Sequence, residues 1–200
     1  MISSLRKYGI YGSLRLVVSW LYTKIFFPNA KIIRLPVDIR NSRNIHIGKN
    51  FITGFACRIE ALPLASTKNK ILNIGDNVQI NDNVHIACAE SLTIGNNTLI
   101  ASKVFITDIT HGNYNGSNCD SPESIPAERQ LHTKPVQIGE NVWVGEFVSI
   151  LPGSKIGNGC VIGTLSMVNG EIPPYSIAVG TPARVIKKFN FEKKEWEAVK

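Results

Sequence analysis

Branched aliphatics recur every six residues through the C-terminal half of the chain, at Ile138, Val144, Ile150, Ile156, Ile162 and Val168. Gly139, Gly145, Gly157 and Gly163 each follow one of them, and Val142, Val148, Ser154, Cys160 and Ser166 stand four residues after. A helix needs apolar residues at a period of 3.6 and an ordinary strand alternates at 2, so neither explains a strict six. A fixed six-residue period is the signature of a β-solenoid. Each hexapeptide then gives one short strand and one tight corner, with the aliphatic inside, the small residue beside it, and Gly or Asn turning the chain. Three sides close a coil of about 18 residues, and coils stack at strand spacing.

The period extends upstream. It begins raggedly after Ile32, settles at Ile45 and Ile47, and is interrupted over 56–71. It runs cleanly through Ile74, Ile80, Ile86, Ile94, Ile100 and Ile106, breaks over about 107–135, and resumes at Val136. The expectation is an all-β chain of roughly six coils over 31–188, with the long break as a functional loop. Before it, over 1–30, Leu14, Val17, Val18, Leu21 and Ile25 fall on one helical face beside Arg6, Lys7, Arg15 and Lys24. That amphipathic helix either caps the open end of the solenoid or lies on an anionic membrane surface, and the two are compatible. The tail over 189–200, NFEKKEWEAVK with its preceding Phe, reads as a short helix covering the last coil.

Composition narrows the partners. A formal charge of +7 invites an anionic one, yet Lys and Arg are scattered, which argues against nucleic acid. Cys57, Cys88, Cys119 and Cys160 show no metal-ligand spacing and read as reduced, structural thiols of a cytoplasmic protein. The longest uncharged N-terminal run, Leu16 to Thr23, is too short for a secretory core or a membrane span. The expected location is the cytoplasm, with the N-terminus as the one candidate contact with the inner face of the membrane.

The runs IGENVWVGEFVSILPG, IGNGCVIG and EIPPYSIAVGTPARVIKK resemble the signature of hexapeptide-repeat acyltransferases. Within that family the chain is most similar to galactoside and maltose O-acetyltransferases and to bacterial sugar O-acetyltransferases of lipopolysaccharide and capsule. The resemblance covers about 74–188, and Trp143 and the TPARVI element are its more specific parts. It implies a left-handed parallel β-helix, a homotrimer, acetyl-CoA as donor, no metal, and active sites in clefts between neighbouring prisms.

Acetyl transfer to a hydroxyl needs a base for the alcohol proton, a donor for the oxyanion and a groove that aligns both substrates. No nucleophile elbow is present, so direct attack is the simpler route. His111, in TDITHG where the repeat opens into the loop, matches the family's catalytic histidine. His132 is the reserve; His85 follows the inward Val84 and should face outward, and His46 lies in the irregular first coils. These histidines lack the spacing of a three-ligand zinc site, which sets aside a γ-carbonic anhydrase. By resemblance Asn81 holds the acceptor; Glu90 and Arg129 are further acceptor candidates, Arg129 alternatively anchoring the loop. For coenzyme A the resemblance carries over Glu146, Thr164, Asn169, Gly170, Arg184 and Lys187, with Trp143 walling the cleft. Arg184 and Lys187 also suit its phosphates on chemical grounds.

Two departures stand out. Thr164-Leu165 replaces the family's Ala-Gly, and Asn169-Gly170 replaces its Thr-Lys. The loop before Trp143 is also longer than in the galactoside pattern, which argues for a larger or different acceptor. The leading expectation is an acetyl-CoA-dependent O-acetyltransferase acting on a sugar of a bacterial surface polysaccharide or its precursor. The alternatives are N-acetylation of an amino sugar nucleotide or another small acceptor, and a trimeric scaffold without activity.

Overall fold

The six-residue rhythm becomes a stack of parallel strands in the computed structural model, which describes residues 2–199, the side chains of 2–5 excepted. The aliphatics from Ile138 to Val168 are at most 3% exposed, and the small residues beside them, Val142, Val148, Ser154, Cys160 and Ser166, are equally buried. Val144 pairs in parallel with Ile162, one 18-residue coil further on, and with Ile100 behind it. Main-chain N–H groups bond between coils: Gly145 N donates to Ile162 O at 2.8 Å and Gly139 N to Ile156 O at 2.8 Å.

The strands form three faces, visited in the same order on every turn. Face I stacks six strands, from Val37–Arg40 through Cys57–Ala61, His85–Cys88 and Phe105–Thr107 to Ser149–Ile150 and Met167–Val168. Face II stacks another six, from Ile45–Ile47 to Glu171–Ile172. Face III runs from Gln79–Ile80 through Leu99–Ile100, Trp143–Val144 and Val161–Ile162 to Ser176–Gly180. Cys57–Ala61 is a regular strand of face I, so the first interruption is shorter than the sequence suggests and leaves the stack only at Leu62. The parallel pairing there runs from Arg58 against His85 to Ala61 against Cys88, hidden from periodicity because Glu60 and Arg58 are charged.

Corners divide the labour between glycine and asparagine. The glycine after each aliphatic is required by close approach: a Cβ on Gly95 would lie 2.5 Å from the carbonyl carbon of Gly139. Two residues later the chain turns through left-handed backbone, at Asn77, Asn97 and Asn141 with φ of 57°, 58° and 56°. Asparagine tolerates that region better than other side chains.

Both ends depart from expectation. The helix α1 (Ile2–Phe26, with non-helical Gly9 inside) does lie against the first coil, but with the opposite face. Ser19 and Thr23 are fully buried, whereas Leu14, Val17, Val18, Leu21 and Ile25 are 49–71% exposed. The first coil's edge is a row of backbone donors and acceptors, so it takes polar side chains. Thr23 Oγ1 accepts from Ile33 N at 2.8 Å, Ser19 Oγ accepts from Leu35 N at 3.1 Å, and Arg15 donates to Leu35 O at 3.1 Å. At the other end the described residues of the expected helix over 189–200 form no helix. Ala183–Asn190 turns back antiparallel on Ser176–Gly180, and Glu195–Ala198 pairs with it in turn. Asn190 Oδ1 accepts from Glu192 N and Lys193 N, closing a side-chain turn that competes with helix, and Phe189 packs on Trp196 at 5.2 Å between centroids. Lys193 and Glu197 meet at 2.8 Å across this turn.

Cys57, Cys88 and Cys160 are buried, and Cys119 in the long loop is exposed. Burial pushes all three inner thiols up in pKa, and the carboxylate of Asp108 adds to the effect at Cys88. Since the thiolate is the reactive form, an aromatic disulfide reagent should label one thiol per chain in the folded protein and four after denaturation. Cys119→Ser should abolish the native labelling.

Candidate active site

The long break is an ordered projection rather than a free loop. Its two ends pair antiparallel, Ile109–His111 against Leu131–Thr133, with His111 opposite Leu131 and Thr110 opposite His132. Asp108, fully buried, fastens the base of this hairpin. Its carboxylate accepts from the main-chain N–H groups of Ala89, Glu90 and Ser91 at 2.8–2.9 Å, with the Cys88 thiol at 3.4 Å. A buried carboxylate needs such donors to offset its desolvation. Sequence reading passed over Asp108, although an acid at the very start of the break was its visible sign.

Arg129 binds the loop to itself. It donates to Ser124 Oγ at 2.8 Å, to the Tyr114 hydroxyl at 2.9 Å and to the carbonyls of Ser121 and Ser124, while the Tyr114 hydroxyl donates to the His111 carbonyl. Of the two roles open to Arg129, the geometry displays the anchor. His85 is likewise engaged: its Nε2 lies 2.9 Å from Glu60 Oε1, and its ring packs on Phe105. Glu60 is buried and also meets Arg58 at 2.8 Å and Arg40 at 3.3 Å. Its burial raises the carboxyl's pKa, but the bonds from His85 and Arg58 outweigh that and hold it below the usual range. His46 is exposed on face II.

The remaining candidates fall on two separate edges of the prism. The edge between faces I and II carries the hairpin with His111, the exposed Glu90, and Asn169 and Gly170. There a cavity of about 340 Å³ opens under the hairpin, lined by Thr110, Tyr114, His132, Lys134, Pro152 and Asn169. It takes His132, whereas His111 lies outside its lining. The edge between faces III and I carries Asn81, Glu146 and Thr164, and beside it Trp143 projects from face III, 53% exposed. Arg184 and Lys187 are exposed on the strand that extends face III. Within one chain the whole of face I separates His111 from Trp143, Glu146 and Thr164.

The family profile described as "Bacterial transferase hexapeptide (six repeats)" matches residues 135–170. WbbJ of Escherichia coli K12, provisionally named a lipopolysaccharide biosynthesis O-acetyl transferase, is 47% identical over 193 residues, 96% of each chain. The chain belongs to the hexapeptide-repeat acyltransferases. It is accordingly an enzyme, which sets aside the inactive scaffold. The galactoside O-acetyltransferase of the same organism is 35% identical over 125 residues, 62% of this chain and 58% of that one. The crystal structure of a point mutant of AntD, an N-acyltransferase from Bacillus cereus in complex with dTDP-4-amino-4,6-dideoxyglucose and coenzyme A, shares the fold. Its TM-score is 0.66, at 22% identity over 82% of this chain and 83% of that chain.

In a hexapeptide acyltransferase with Ala-Gly at positions 164–165, glycine would turn this corner without strain. Here Leu165 takes it at φ 62° and is 68% exposed. Phe147, one coil earlier on the same edge, does likewise at φ 57°, with Lys103 Nζ 4.8 Å from its ring centroid. Left-handed backbone costs a bulky side chain roughly 1–2 kcal/mol, and both side chains nonetheless stay exposed, Phe147 at 47% and Leu165 at 68%. Exposed apolar groups held at a cost mark a surface with a use. Phe147 was not among the sequence candidates, and only its place in an Asn/Gly corner signals it. Leu165→Gly should raise the unfolding free energy by about 1 kcal/mol in urea titration. If Leu165 also lines the donor's path, the same change should weaken coenzyme A binding in calorimetry.

The Glu60 cluster gives a pH prediction. A carboxyl depressed in the folded state contributes stability above its unfolded pKa and loses it as pH falls through the folded value. The thermal midpoint should therefore drop as pH falls from about 5 toward 3, and Glu60→Gln should be less stable at pH 7 with a flatter decline.

Proposed function

We propose that the chain is an acetyl-CoA-dependent O-acetyltransferase that acetylates a sugar hydroxyl of a bacterial surface polysaccharide or its precursor, with His111 as general base. The likeness to WbbJ along 96% of both chains carries the acceptor class, since that protein's name refers to lipopolysaccharide. The coenzyme A in the AntD complex supports the donor. In this reading the His111 imidazole takes the hydroxyl proton as the oxygen attacks the thioester carbonyl. The C–O bond forms, the C–S bond breaks, and the proton passes to the departing thiolate. Trp143, Glu146, Thr164, Asn169, Gly170, Arg184 and Lys187 hold the donor, the two basic groups facing its phosphates. Asn81 and Glu90 meet the acceptor.

Those residues occupy two different edges, so one chain alone cannot enclose both substrates. Joining the edge that bears His111 to the edge that bears Trp143 on a second copy is a heterologous contact, which closes as a ring where the rotation between copies permits. The left-handed winding and the homotrimer that the family implies belong to this proposal.

Transfer of labelled acetyl from acetyl-CoA to lipopolysaccharide-type glycans tests the reading. His111→Ala should lower kcat at least 10²-fold while His132→Ala retains far more activity; the reverse order would make His132 the base. Ester rather than amide linkage, located by mass spectrometry, separates O- from N-acetylation. The shared site has its own test. A mixture of inactive His111→Ala and Trp143→Ala chains, refolded or expressed together, should recover about a quarter of the wild-type rate, because random assembly unites the two intact edges that often. No recovery would place the whole site within one chain.

A further inference from the structure

We propose that α1 docks the enzyme on an anionic lipid surface, through the face it turns away from the solenoid. Ile10, Leu14, Val17, Val18, Leu21 and Ile25 are 49–81% exposed and follow one another at helical spacing. They lie on the side opposite Ser19 and Thr23, whose hydroxyls are tied to Leu35 and Ile33. The apolar stripe therefore cannot roll inward without breaking the bonds that seat the helix. It is the reverse of the usual arrangement, in which a surface helix buries its apolar stripe against the core. A groove of about 710 Å³ beside it, lined by Tyr11, Leu14, Arg15, Val18 and Leu35 to Val37, carries this mixed apolar and basic surface onto the first coil.

Charge identifies what covers it. Residues 1–37 contain six Lys or Arg and no Asp or Glu, which leaves 16 basic against 15 acidic residues in the remainder of the chain. Nearly all of the excess charge of +7 therefore resides in and beside this helix. Two such surfaces would repel each other, whereas anionic headgroups would attract them. Arg6, Lys7 and Lys24 are exposed, as are Tyr8, Tyr11 and Trp20, side chains suited to the headgroup boundary. No helix among the described residues is long and apolar enough to cross a membrane, so α1 would lie in the interface.

Flotation of the purified full-length protein with vesicles tests this independently of catalysis. Binding to phosphatidylcholine vesicles containing about 30% phosphatidylglycerol should exceed binding to phosphatidylcholine alone by about ten-fold and weaken as salt is raised. The double variant Leu14→Asp with Leu21→Asp, at exposed positions, should lose the binding with its thermal midpoint and oligomer size unchanged. Wild-type protein that ignores both vesicles, or a double variant that floats as well as wild type, would overturn the proposal. So would a double variant that changes oligomer size while wild type shows no lipid preference, since the face would then lie between copies of the chain.

Discussion

Each coil of this protein is held chiefly by the coil above and the coil below. A single hexapeptide strand two residues long has almost no stability of its own; it exists because its N–H and C=O groups meet those of a neighbour 18 residues away, as Val144 meets Ile162. The inward aliphatics supply the driving force, roughly 2 kcal/mol for each fully buried side chain. The corners oppose it, because each sharp turn needs a residue in left-handed backbone at roughly 1–2 kcal/mol unless Gly or Asn is there. That dependence of each coil on its neighbours is why the repeat must be kept so regularly. It also explains why the two ends, where one neighbour is missing, are built differently from the middle.

That regularity made the middle legible. Ile138, Val142, Val144 and their successors occupy the inward positions their spacing assigns, since a six-residue period admits one packing. The ends and the insertion were less legible because long-range backbone pairing decides them. The tail's charge pattern suits a helix, yet the last coil presents an open edge, and an antiparallel hairpin satisfies it with the Phe189 and Trp196 rings as ballast. The N-terminal helix shows the same cause from the other side: an edge of unpaired N–H groups selected Ser19 and Thr23 over the apolar stripe. Periodicity records which residues are alike; it does not record whether the surface they meet is a core or a row of dipoles.

The site was legible in a third way, by likeness of residues to a family rather than by geometry. His111 and Trp143 could be named, but nothing in the spacing placed them on different edges. Asp108 and Phe147 escaped notice because their importance is conformational. Asp108 gathers three N–H groups of the neighbouring coil and thereby fixes where the hairpin leaves the prism. Phe147 and Leu165 occupy left-handed corners, where Gly or Asn would avoid the backbone strain.

These two departures from the most stable sequence point the same way. A solenoid built only for stability would place Asn or Gly at every left-handed corner, as the face II–III edge largely does. Bulky residues gather instead on the face III–I edge, the edge that must approach the His111 hairpin of another copy if both substrates are to be enclosed. The strain is local and the stack of buried aliphatics is large enough to carry it. An uninterrupted repeat thus leaves its edges free to vary, and chemistry can be placed there without disturbing the core that holds them.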